Sequence, residues 1–347
     1  MDTPAANTVL FCPSKIGNGI ISNRIIMAPM ARLRNCRLHV PLVSMVPAYF
    51  AGGASYPGTL AISEMAIISP RAYDYPHPPG IWTNEQVAAW KAVTATVHAQ
   101  GSHIYLQIGA LGRAAHPLVF EEDVALFGLS KDSIQFAASS LIPYSKDHPI
   151  PVELTTEEIK ALIKIFATAA RRAVNDADFV FIQDTANQRA ESYSGNVENR
   201  SQFTVEAMRA VVDAQLRNLK LAYLHLVAPY AARYTNNTVA RHGDSNDILI
   251  RMWRKTSPVI LNHGFDAIIA CKAIEKYIGI LDIAVAMSAP FMSNPDLIYR
   301  IKRESPLCLQ ISPSRTQLWT QMGTLCIPFQ MSGGQNKRLY DAGQGLP

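Results

Sequence analysis

Residues 83–107 read TNEQVAAWKAVTATVHAQGSHIYLQ, and this one stretch carries a whole helix-to-strand unit. Thr83 followed three residues later by Gln86 is a capping box, in which each side chain satisfies the other's backbone N–H. Val87, Trp90, Val93 and Val97 then fall on one face at helical spacing, and Gly101 stops the helix. Residues 103–107 follow as a short apolar run, the mark of a strand covered on both faces.

The same alternation extends in both directions. Residues 24–28, 59–63, 179–182, 221–227, 258–261 and 281–286 are further candidate strands. A second capping box, Thr155-Thr156-Glu157-Glu158, opens a helix with Ile159, Leu162, Ile163, Phe166 and Ala170 on its inner face, and a third helix is expected over 201–214. Strands alternating with helices of this length predict an α/β fold with a parallel sheet. Seven strands is one short of a closed eight-stranded barrel. Residues 114–151 form a long irregular stretch rich in Pro, Ser and Asp, and the tail from about 307 has no assignable period.

Composition narrows the functional classes. The 347 residues are 48% hydrophobic and 17% charged, which excludes a disordered chain. The 32 basic and 27 acidic residues give a formal charge of +5 without any Lys/Arg block, so nucleic acid is not an expected partner. Five widely spaced cysteines form neither a disulfide framework nor a zinc pattern. No secretory leader and no bilayer-spanning run is visible, and a cytoplasmic protein without membrane contact is expected.

Several segments then resemble the old yellow enzyme family of FMN-dependent ene reductases, and its fungal branch in particular. They include Asn23-Arg24-Ile25-Ile26-Met27-Ala28-Pro29-Met30, Pro57-Gly58-Thr59-Leu60-Ala61-Ile62-Ser63-Glu64 and Pro79-Gly80-Ile81-Trp82. Further matches are Gln107, Gly112-Arg113-Ala114-Ala115, Asp184-Thr185-Ala186-Asn187, Asn196-Val197-Glu198-Asn199-Arg200 and Phe291-Met292-Ser293-Asn294-Pro295-Asp296-Leu297. They run in the family's order through most of residues 8–306. The chanoclavine-I aldehyde reductases of ergot-alkaloid pathways share the fungal features. The resemblance implies a TIM (β/α)8-type barrel over 1–306 with a divergent tail at 307–347, FMN at the C-terminal strand ends, and NAD(P)H as reductant. It also implies a small-molecule substrate with an activated C=C bond.

Carried over residue by residue, the resemblance implies that Ala28, Pro29, Met30 and Ala31 lie against the flavin ring, that Gln107 meets its pyrimidine edge, and that Met65 stands close to it. Departures are as informative as matches. Ala31 replaces a Thr or Cys, and a methyl group cannot donate a hydrogen bond. Met65 replaces a small residue. Residues 177–184, ADFVFIQD, pass directly over the site of the family's His-Gly-Ala-Asn-Gly-Tyr segment, so roughly a dozen residues at the end of the fourth strand are missing where barrel enzymes keep catalytic groups. The substrate-clamping pair and the proton-donating Tyr go with them, and no catalytic residue is assigned. A second gap after Gln215 removes a βα unit on the order of 30–40 residues. Asn262-His263-Gly264 and Ser288-Ala289 stand where the family keeps its phosphate-binding glycines and Arg. Both gaps have clean edges, as omitted exons would leave.

The expected reading is therefore an inactive member with an incomplete barrel and a vestigial FMN site at Ala28, Pro29, Met30, Ala31, Met65 and Gln107. The alternatives are an active reductase or isomerase with relocated groups, for which Tyr193 or His225 would have to serve, and a non-enzymatic binding protein on the same scaffold.

Overall fold

The computed structural model describes residues 8–17, 19–70, 77–115, 125–129, 136–138, 140–144, 146, 148–174, 206–207, 209–210, 223–227, 250, 253, 257–262 and 264–308. Among the described residues six strands form one sheet: β1 (Ile25–Met27), β2 (Leu60–Ile62), β3 (His103–Tyr105), β4 (Leu224–Val227), β5 (Val259–Asn262) and β6 (Ile283–Met287). Their order is β4-β5-β6-β1-β2-β3 and every pairing is parallel. The first and last strands in sequence are neighbours, with Met27 opposite Met287, which is how a barrel closes its chain ends together. The expected strand at 179–182 lies outside the described residues, as does the tail beyond 308.

The strands are apolar on both faces because both are covered. Ile26, Ala28, Leu60, Ile62, Tyr105, Ile260, Ala284 and Ala286 fill the interior. A hairpin, Ser14–Ile16 with Gly19–Ile21, closes the N-terminal end by adding Ile16 and Ile21 to that core. It is tied in by the Tyr105 hydroxyl, which donates to the Ile16 carbonyl at 3.1 Å. Asp282 accepts from the Ser14 hydroxyl at 2.6 Å and from the Arg24 guanidinium, linking the hairpin to the starts of β1 and β6.

Outside the sheet, α1 (Val46–Gly53) packs on α2 (Asn84–His98), whose Thr83/Gln86 capping box is formed in both directions. Trp90, Val93 and Val97 are buried as the stripe predicts, while Val87 is half-buried and Gln86 takes a fully buried place. Gln86 is the exception to the apolar rule because its amide is satisfied. It accepts from the Trp82 and Thr83 N–H groups and donates to the Leu38 carbonyl. In α3 (Thr156–Val174) the second capping box also forms, Thr155 with Glu158. Within the helix expected at 201–214, residues 206–207 and 209–210 are helical, and Ala207 packs on Ile159 and Ile163. The long stretch after β3 has more structure than its composition predicts, since Ala137–Ala138 pairs in parallel with Val152–Glu153.

The strand expected over 103–107 ends earlier, at Tyr105. Ser63 explains the break: its hydroxyl accepts the Gln107 N–H at 2.9 Å, so a side chain replaces a ladder bond. Pairing resumes one step on between Ala66–Ile67 and Ile108–Gly109.

Candidate functional site

All six strands point the same way, so the segments that follow them meet at one end of the sheet. Ala28, Pro29, Met30 and Ala31 follow β1, Met65 lies three residues past β2, and Gln107 two past β3. The three strands are consecutive in the sheet, and the structure therefore brings the expected residues to one mouth. Along β1's exit Ala28 is buried in the core, Pro29 is half-buried, Met30 is buried and Ala31 is exposed. The Ala28 N–H donates to the Met287 carbonyl at 3.1 Å, which pins this exit against the end of β6.

Gln107 is half-buried and its side-chain amide makes no hydrogen bond among the described residues. It can therefore present both a donor and an acceptor at the mouth. Met65 lies over Gly109: a Cβ built on that glycine would meet its Sδ at 2.3 Å. The thioether is thus accommodated by a residue without a side chain on the neighbouring strand extension.

The most strongly placed polar group at this end is Glu64, to which the sequence alone assigns no role. Glu64 is 2% exposed, and one carboxylate oxygen accepts the N–H groups of Arg32 at 2.8 Å and Leu33 at 3.0 Å. Leu33 is in the left-handed region, φ 52°, so the loop after β1 turns on a residue that disfavours that conformation. The carboxylate of one strand exit therefore fixes the backbone of the next. Burial pushes the Glu64 carboxyl above its ordinary value, against the lowering effect of the two N–H donors and of the Arg32 and Arg34 charges. Those guanidiniums lie 5.3 and 5.6 Å from the centroid of the Tyr49 ring, whose hydroxyl burial pushes up to about 12. An acidic residue two positions past an all-apolar strand is the available signal; its partners, thirty positions away on an irregular loop, are not readable from spacing.

The other side of the mouth differs. β6 runs into Ser288-Ala289-Pro290, and a five-residue helix, Ala289–Ser293, follows with proline in its first turn. No cation stands at these three positions, and Pro290 has no N–H to offer. β5 ends at Asn262, with Gly264 at φ 75°; His263 lies outside the described residues. Arg32 approaches this side but its Nη1 meets the Met292 sulfur at 3.0 Å. Of the two groups weighed as relocated acids, Tyr193 lies outside the described residues. His225 sits inside β4, which ends the strand order among the described residues, with its ring 6.3 Å from that of Tyr223. Burial holds it down to about 4, so it is a neutral imidazole at pH 7. Among the described residues no group of three His, Cys, Asp or Glu side chains could hold a metal ion, and no helix is long and apolar enough to cross a membrane.

Comparison with known proteins matches residues 9–223 to the NADH:flavin oxidoreductase / NADH oxidase family. Among curated relatives, chanoclavine-I aldehyde reductase fgaOx3 of Penicillium roqueforti is 36% identical, covering 86% of this chain and 90% of its own. The probable inactive reductase easA of Epichloe festucae var. lolii is 33% identical, covering 86% and 89%. Among solved structures, Old Yellow Enzyme from Pichia sp. AKU4542 superposes with a TM-score of 0.73 at 26% identity, covering 88% of this chain and 89% of that one.

Proposed function

The chain belongs to the NADH:flavin oxidoreductase / NADH oxidase family, and on that premise we propose that it is a catalytically inactive homologue of the FMN-dependent ene reductases, associated with fungal secondary metabolism of the ergot-alkaloid type. FMN and NAD(P)H are the cofactors the family and its old yellow enzyme neighbours imply. The residues present fit only half of the flavin nucleotide. At the ring end, Ala28 to Ala31 and Gln107 line one mouth, and Met65 is tucked over Gly109. At the phosphate end, Ser288-Ala289-Pro290 offers neither a guanidinium nor the full set of backbone N–H groups on which phosphate binding rests.

That phosphate end is the observation that carries the reading. A charge-assisted contact is worth about 1.5–3 kcal/mol, so its loss weakens binding by roughly ten- to a hundredfold before the missing N–H is counted. The sequence adds that residues 177–184 leave no room for a carbonyl-clamping pair or a proton-donating Tyr, and no catalytic residue is assigned. The barrel itself is proposed to lack the end of its fourth strand and its fifth βα unit. Relatives named as inactive at comparable identity support the same reading.

A second reading, an active NAD(P)H-dependent reductase, draws on Gln107 standing at the mouth with an amide that has no hydrogen-bond partner among the described residues, and on the 36% identity to an aldehyde reductase. Flavin titration of the purified chain, with the visible spectrum recorded, separates the two.

A further inference from the structure

Outside the barrel, a cavity of about 370 Å³ opens between the segment after β2 and the outward face of α3. It is independent of the flavin reading, and its lining divides in two. Trp82, Pro70 and Ile165 form an apolar wall, while Lys164 and Arg172, two turns apart on α3, supply positive charge. No carboxylate is among the described lining residues.

Both halves are held in place. The Trp82 ring lies 5.4 Å from the His39 ring and 5.5 Å from that of Phe127. Beneath it Gly80 is obligatory, since a Cβ there would come within 2.4 Å of the indole. Arg172 donates to the Asn84 side-chain oxygen at 3.1 Å, across 88 residues of sequence. A neutral partner fixes the guanidinium without cancelling its charge. Lys164 makes no ion pair among the described residues, and the hydroxyl of Thr168 between them is engaged, donating to the Lys164 carbonyl at 2.9 Å. Among the described lining residues the polar character is therefore two cations without an ion-pair partner, with the hydroxyls of Ser69 and Thr168, beside an immobilised indole.

We infer that this cavity binds a planar aromatic carboxylate, its ring against Trp82 and its anionic oxygens between Lys164 and Arg172. The size suits the lower end of small-molecule sites, and an apolar wall with a few convergent polar groups is their usual make-up. An apolar neutral ligand would leave the two cations unanswered, and an inorganic anion would leave the indole uncovered.

The test is calorimetric titration of the full chain with 2-naphthoate and, in parallel, with its neutral amide. Expected is saturable 1:1 binding of naphthoate with a Kd in the range of about 10 µM to 1 mM. The amide binds at least tenfold more weakly, as does naphthoate to Lys164→Gln or Arg172→Gln. Gln107→Ala, altered at the barrel mouth, binds naphthoate as the parent does, which separates this cavity from the flavin site. Should Arg172→Gln melt early, Arg172→Lys is expected to keep both the fold and the affinity, and Lys164→Gln then decides. Absence of saturable heat, equal affinity for the amide, indifference to Lys164→Gln, or loss of binding in Gln107→Ala would each overturn the assignment.

Discussion

Replacing Glu64 tests how the mouth of the barrel is built. The carboxylate is 2% exposed, and a single oxygen receives the N–H groups of Arg32 and Leu33 at 2.8 and 3.0 Å. Glu64→Ala leaves both donors without their acceptor, at about 1–3 kcal/mol each, offset in part because a buried charge disappears; a net loss of about 2–5 kcal/mol follows. For a chain of this size about 2 °C of melting temperature accompanies each kcal/mol, so Glu64→Ala should melt roughly 4–10 °C lower. Glu64→Gln keeps an oxygen able to accept both bonds and has no charge to desolvate, so it should stay within about 1 kcal/mol of the parent. The pH dependence carries a sign. Because burial raises the Glu64 pKa, the folded state holds a proton that the unfolded chain has released over the interval above the ordinary carboxylate value. Stability from this group is therefore complete at lower pH and declines as pH rises through the folded pKa, a slope Glu64→Gln should abolish. Thermal melts of the three proteins between pH 4 and pH 8 read all of this. Equal melting of Glu64→Ala and Glu64→Gln at pH 7 would refute the two-donor bracing.

His225 gives the opposite slope: burial lowers it to about 4, so its contribution is present above pH 6.5 and lost as pH falls from 6.5 towards 4, by up to about 3 kcal/mol. Melts of His225→Gln should be flatter across that window than those of the parent. Gly80→Ala forces a Cβ to within 2.5 Å of the Gln86 amide and 2.4 Å of the Trp82 ring, and urea unfolding should register about 1–3 kcal/mol of destabilisation. Asp282→Ala removes the acceptor that ties the hairpin's Ser14 to the start of β6 and leaves the partly buried Arg24 guanidinium without its carboxylate; a loss of about 1–3 kcal/mol in the same assay is expected. Ser288→Gly with Ala289→Arg restores the phosphate-binding chemistry, and fluorescence titration should show FMN affinity rising at least tenfold.

Much of the scaffold is legible in the sequence because it rests on local rules. Both capping boxes form as Thr83/Gln86 and Thr155/Glu158, and the stripes behind them bury Trp90, Val93, Val97, Phe166 and Ala170. Strand positions at 25–27, 60–62 and 283–287 follow from apolar runs that need no tertiary information. Legibility stops where a side chain competes with the backbone. Ser63 takes the Gln107 N–H and shifts the end of β3, which no periodicity could reveal. The Glu64 brace and the cavity beside Trp82 join residues thirty to a hundred positions apart, and spacing along the chain says nothing about them. Gln107, by contrast, lies two residues past β3 at the C-terminal end of the sheet, a position that follows from the apolar run before it.

On the proposed function, the Ser288-Ala289-Pro290 end of the mouth does not hold the cofactor. Titration of the purified chain with FMN, read by flavin fluorescence and by the visible spectrum after gel filtration, addresses that directly. A cooperatively melting protein that emerges colourless and leaves FMN fluorescence unchanged is the predicted result. Stoichiometric yellow protein whose flavin band bleaches on addition of NADPH would contradict it.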